Sequence, residues 1–129
     1  MKFSVVVYSS PYSSEAARTA LQFSKAVLLQ GHEIYRLFFF GDGAQNANRL
    51  TVTPQDEINI QQEWNTLITQ NDIDAVICVT SALRRGVLDV EAAKQHGKNI
   101  ASMHDGFEIA GLGQLVDAAT NSDRIINFG

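Results

Sequence analysis

Basic side chains are in short supply: ten lysines and arginines stand against fourteen acidic residues, for a net charge of −4. A long-range field of that sign, with the basic residues scattered rather than striped, is unsuited to gripping a phosphate backbone, so direct nucleic-acid binding is not expected of the chain alone. Cysteine occurs once, at Cys78. An internal disulfide is thereby excluded, and any disulfide or mixed sulfur species must involve another molecule. His32, His96 and His104 lie far apart, and no CxxC or HxxxH spacing supplies several ligands, so no metal is expected and each histidine reads as a surface or loop residue. Long apolar runs are missing too. The opening MKFSVVVYSSPYSS carries one lysine and about five consecutive apolar residues, too short for a signal-peptide core or a membrane span. The chain therefore reads as cytoplasmic, with no membrane partner. Two prolines and nine glycines argue against disorder.

What is present fits one compact domain over 1–129, since 129 residues at 45% hydrophobic composition suffice for a substantial core and leave no room for a second. Phe3–Tyr8 reads as a first, central strand, stopped by Ser9, Ser10 and Pro11. Ser13 or Ser14 then caps a helix with Glu15 in its first turn, and Ala17, Ala20, Leu21, Ser24, Val27 and Leu28 repeat at helical spacing before Gly31. Ile34–Phe40 restores the strand pattern and ends in three consecutive phenylalanines, for which two readings stay open: one ring near the loop is left for a neighbouring subunit, or all three are covered within the domain. This βαβ unit predicts a parallel sheet with a right-handed crossover.

The loop after the second strand, GDGAQNANRL, invites a test for phosphate binding and fails it, lacking both GxGxxG and GxxxxGK[ST] spacing. No nucleotide or other cofactor is expected. Thr53, Pro54 and Asp56 form a helix start, with Ile60, Trp64, Leu67 and Ile68 as its buried stripe. Val90–His96 reads as a short helix capped by Asp89 and closed by Gly97. Asn99–Ser102 reads as a short strand, Leu112–Asn121 as a helix with Leu115, Val116 and Ala119 inward, and Arg124–Phe128 as a last strand.

The chain is organised around Asp74–Gly86, DAVICVTSALRRG. The run from Ala75 to Val79 is continuously apolar, as in a parallel strand covered by helices on both faces, and places Cys78 near the strand's carboxyl end, where reactive groups gather in open α/β sheets. Two readings of Cys78 stand side by side. A free cysteine packs well as a small hydrophobe in a core. Alternatively, a helical turn capped by Thr80 or Ser81, with Arg84 or Arg85 nearby, would favour the reactive thiolate. Adjacent arginines cannot both face one point, so at most one serves the thiol.

The segments FFFGDGAQNANRL, ICVTSALRRGVLD and GFEIAGLGQLVDAA…SDRIINF resemble the DsrE-like sulfur-transfer family nearly end to end. The resemblance implies a mainly parallel five-stranded α/β three-layer sandwich of flavodoxin-like architecture. It also implies that Cys78 is the catalytic residue, a persulfide-carrying cysteine in the sulfur relay to tRNA 2-thiouridine. The partners it implies are TusB-like and TusC-like subunits in a hetero-oligomer, a TusA-like sulfur donor and a TusE-like acceptor. Two other roles stay open at this point: a subunit of dissimilatory sulfur oxidation using the same cysteine chemistry, and a non-catalytic interaction module in which Cys78 only packs.

Overall fold

The computed structural model describes every residue from Met1 to Gly129. Strands β1 (Lys2–Val7), β2 (Glu33–Phe39), β3 (Ala75–Cys78), β4 (Phe107–Ala110) and β5 (Arg124–Phe128) form one sheet in the order β4-β3-β2-β1-β5. Every neighbouring pair runs parallel. Helices α1 (Ala16–Leu29), α2 (Ile60–Asn71), α3 (Val79–Arg84), α4 (Val90–Gln95) and α5 (Gly113–Asn121) occupy the connections. The expected α/β class and five-stranded parallel sheet are found.

Connection handedness explains how the two faces come to differ. From β1 to β4 each step moves one strand in the same direction, so right-handed crossovers put the connecting helices on one face; the return from β4 to β5 lies on the far side of β1 and sends α5 to the other. The packing agrees. Val5, Val7, Leu37, Phe39, Ala75, Ile77 and Phe107 join residues of α1 and α2 in a cluster of 20 buried side chains. The alternate residues Val6, Phe38, Val76 and Cys78 form a separate cluster of 4, with Leu115 of α5 and Phe40 packed against it. Helices of 14 and 12 residues serve the first face, whereas α5 has 9 residues. The cysteine side of the sheet is the thinly covered one.

A polar anchor holds α5 in place. Arg36, only 8% exposed, donates to Asp74 Oδ2 at 2.9 and 2.7 Å, to Asp117 Oδ2 at 2.8 Å and to the Gln114 carbonyl at 2.8 Å. Tyr35 donates its hydroxyl to the same Asp117 oxygen at 2.7 Å. Burial opposes the guanidinium's charge, but the hydrogen bonds to the two carboxylates outweigh it and raise the Arg36 pKa. The Tyr35 hydrogen bond, followed by that from Arg36, pulls the Asp117 carboxyl below its usual range.

Two titrations therefore make the fold acid-sensitive. Burial pushes His104 below the ordinary value of 6.5, with Asp105 opposing and Arg49 assisting. Its neutral form is favoured in the folded state, so its stabilisation is complete above the unfolded value of 6.5 and declines as pH falls below it. The depressed Asp117 acts in the same direction at lower pH: its contribution holds above the unfolded carboxylate value and is lost as pH falls through the folded one. Thermal midpoints measured down from pH 7 should fall in these two stages, and His104→Gln should flatten the first. A variant whose first-stage slope matches wild type would remove His104 from the account.

Several local expectations are corrected. Helix α1 begins at Ala16, with Glu15 at the N-cap position rather than in the first turn, and Ser14 Oγ accepts from the Ala16 amide at 3.3 Å. Thr53–Pro54 starts a turn, closed by Glu57 N–H on the Pro54 carbonyl at 3.0 Å, and not the helix. Helix α2 starts at Ile60 because Asn59 caps it, accepting from Gln62 N–H at 3.0 Å. Asn99–Ser102 is no strand: the Ser102 and Met103 amides both turn to the Leu88 carbonyl. The fourth strand is Phe107–Ala110 instead. In α5 the inward side is set by Ala118, fully buried, while Val116 is 66% exposed and Ala119 is also exposed. The short helix capped by Asp89 ends at Gln95, with Asp89 Oδ1 accepting from Ala92 N–H at 2.8 Å.

Candidate functional site

Cys78 is the last residue of β3 and the N-cap position of α3, so strand passes into helix with no intervening loop. Thr80 and Ser81, expected as caps, lie within α3. Ser81 does different work: its hydroxyl accepts the Gly41 amide at 2.8 Å and ties α3 to the end of β2. The strand's period directs Cys78 to the α5 side of the sheet, outside the large core and in register with Ala110 of β4. Cys78 is 4% exposed as a residue. It forms part of the lining of an open depression of about 540 Å³, whose walls come from Phe40 and Gly41 after β2, from α3, and from Gly111 and Leu112 before α5. The buried packing and the accessible site are thus not exclusive: the side chain packs on Val6, Phe38 and Val76 and opens to one side.

The structure separates the two arginines. Adjacent helical residues diverge by about 100°, and Arg85 turns to Asp42, which accepts from Nε and Nη2 at 3.0 Å each, while its Nη1 donates to the Ser81 carbonyl at 3.2 Å. With Asp42 72% exposed, this ion pair stabilises by about 1 kcal/mol or less; it orders the wall. Arg84 lines the same depression, is exposed, and makes no side-chain hydrogen bond or ion pair. It is the free cation of the site.

The rim is apolar. Phe38 and Phe39 point to opposite faces and are buried, which leaves Phe40 half-buried at the mouth, edge-on to Tyr8 with ring centroids 6.0 Å apart. Tyr8, Val79 and Leu112 are exposed around it. Size alone does not single out this place. A larger depression, about 790 Å³, lies at the outer edge of β4 beside Arg49, His104 and Phe107, but holds no cysteine. The sheet's topology does single out the cysteine depression: the chain leaves β3 toward α3 and α4 on one face and leaves β4 toward α5 on the other, so the connections diverge between these two neighbouring strands, at the carboxyl end where Cys78 lies.

Sequence reasoning missed Asp42, the tether from Ser81 and the wall made by Leu112. Asp42 sits in the 3-10 turn Gly41–Ala47, in the GDG loop that fails as a phosphate cradle. The loop's glycine has another reason: a Cβ at Gly43 would lie 2.0 Å from the Val7 carbonyl oxygen, so the turn can press against the end of β1 only with glycine there. Asp42 and Arg85 are 43 residues apart in the chain, and no local pattern announces their pairing.

A family model described as the DsrE/DsrF-like family matches residues 1–128. Curated relatives include DsrE of Allochromatium vinosum, 46% identical over 100% of this chain and 99% of its own. A sulfurtransferase TusD homolog of Pseudomonas aeruginosa is also 46% identical, over 100% of this chain and 98% of its own. Sulfurtransferase TusD of Cronobacter sakazakii is 39% identical, over 99% of this chain and 100% of its own. Among solved structures, the ychN protein from E. coli superposes with a TM-score of 0.81 at 25% identity, covering 99% of both chains.

Proposed function

The chain belongs to the DsrE/DsrF-like family, and from that membership together with the setting of Cys78 we propose that it is a sulfurtransferase whose 1–129 domain carries sulfane sulfur as a persulfide on Cys78. The observation that carries this reading is the placement of the chain's one cysteine at the end of β3, packed on one side and open to a depression on the other. In loading, the Cys78 thiolate attacks the outer sulfur of a donor persulfide R–S–SH. The donor's S–S bond breaks with its electron pair leaving on R–S⁻, and Cys78–S–SH forms. Unloading repeats the exchange with an acceptor thiolate, and neither step needs an oxidant or reductant.

The burial of Cys78 governs which sulfur is attacked next. Attack on the outer sulfur passes the cargo on; attack on the inner one makes a disulfide and expels sulfide. Cys78 is 4% exposed and packs on Val6, Phe38 and Val76, which screen its Sγ, and a second sulfur, about 2 Å further out, has the depression as the open space to enter. The absence of another cysteine in the chain removes the internal attacker. Protein loaded with sulfane sulfur and mixed with a thiol-bearing acceptor should lose the extra sulfur to the acceptor; free sulfide with the acceptor held in a mixed disulfide on Cys78 contradicts the reading.

The relay we assign is the one leading to tRNA 2-thiouridine, in the cytoplasm, where a lone thiol stays reduced. A TusA-like donor and a TusE-like acceptor flank the chain, and TusB-like and TusC-like subunits join it. The half-buried Phe40 and exposed Tyr8, Leu83 and Leu112 supply apolar surface that such neighbours would cover. Co-expressed with both subunits, the chain should sediment as a hetero-oligomer. A monodisperse monomer that ignores them would remove the assembly and leave the cysteine chemistry standing. Net charge of −4 favours handing sulfur to tRNA-binding proteins over contacting tRNA, so the purified chain should bind tRNA weakly at physiological salt. Tight, salt-sensitive binding would contradict this. The relatives include both DsrE and TusD proteins at equal identity, so flux into dissimilatory sulfur oxidation is the second reading, distinguished by which acceptor takes the sulfur.

A further inference from the structure

We infer that Arg84 is the counter-ion of the cargo: its guanidinium pairs with the terminal sulfur of the Cys78 persulfide in anionic form at the mouth of the depression. The inference rests on the carrier reading and assigns a residue to it. Hydropersulfides lose their proton more readily than thiols, so the loaded site bears a negative charge near neutral pH that the empty site need not have. A charge placed on a half-apolar wall calls for a partner.

Arg84 is the available one. It stands six residues beyond Cys78, about 9 Å along the helix and roughly 120° around it, and Cβ atoms in a helix tilt toward its N-terminus, so the reach of a long side chain back over the preceding turn, and not a shared helix face, carries it toward the cysteine end. It shares the depression with Cys78 and has no partner within the chain. Arg85 is committed to Asp42 and the Ser81 carbonyl.

Of the other charged groups near this face, all but Glu108 are paired. Asp42 is neutralised by Arg85. Asp74 and Asp117 are held by Arg36 toward the opposite end of the strands. Glu108 of β4 is in register with Val76 and exposed. The first turn of α5 brings no acidic residue.

The test is the pH dependence of alkylation of the loaded protein, followed by intact mass, for wild type, Arg84→Gln, Arg84→Lys and Arg85→Gln. Arg84 is exposed and unpaired, so its variants should fold as wild type does, checked by circular dichroism. The pH midpoint for persulfide alkylation should rise by about one unit in Arg84→Gln, return most of the way in Arg84→Lys, and stay near wild type in Arg85→Gln. High salt should narrow the difference between wild type and Arg84→Gln. Superimposable profiles for wild type and Arg84→Gln, or a larger displacement in Arg85→Gln, overturn the inference while leaving the carrier role intact. A wild-type protein that takes up no sulfur overturns both.

Discussion

Replacing Trp64 with alanine should remove about 3–5 kcal/mol of folding stability, read as a lower urea midpoint with an unchanged slope. The indole is fully buried and stands edge-on to Phe39, ring centroids 5.2 Å apart at 88°. Its Nε1 donates to Asn46 Oδ1 at 3.1 Å, and Asn46 Nδ2 in turn donates to the carbonyls of Ser9 and Gly43 at 2.9 Å each. Truncation opens a cavity between α2 and the sheet and also leaves a buried amide oxygen without its donor. For a domain whose total stability is on the order of 5–15 kcal/mol, that is a large share. Trp64→Phe separates the two effects, since it keeps most of the ring and should cost about 1–3 kcal/mol for the orphaned oxygen. If the phenylalanine variant were as damaged as the alanine one, the hydrogen bond and not the cavity would dominate. The consequence reaches the site, because Asn46 belongs to the same 3-10 turn as Asp42, the residue that positions Arg85.

The α2 stripe was readable because Ile60, Trp64, Leu67 and Ile68 recur at the helical period and all are buried. The strands were readable for a related reason: central parallel strands bury both faces, and VVV, LFFF and AVIC are continuous apolar runs. What could not be read depended on partners distant in the chain. The strand Phe107–Ala110 exists because β3 offers it an edge, and its sequence FEIA has no long apolar run of its own. Of the residues expected inward on α5, Leu115 packs against the sheet, whereas Val116 and Ala119 face outward, because nine residues with scattered small side chains define no wide stripe. Arg36 and Asp117, 81 residues apart, settle how the helix sits. The cysteine was legible as a strand-end residue, whereas the choice between Arg84 and Arg85 was not, since it turns on Asp42.

The second large effect is the loss of all sulfur loading in Cys78→Ser. A hydroxyl is too poor a nucleophile toward a persulfide to substitute for a thiolate, and the chain has no other thiol to take over. Serine would put a hydroxyl among Val6, Phe38 and Val76, at a cost of about 1–2 kcal/mol. That is small enough for the variant to remain folded, and its denaturation midpoint should show so. The direct measurement is intact mass of wild type and Cys78→Ser after incubation with an excess of a sulfane-sulfur donor, before and after reduction. The account predicts that wild type gains the mass of one sulfur atom, removable by reductant, and that folded Cys78→Ser gains none. Equal gains in the two proteins, or no gain in wild type, would contradict it.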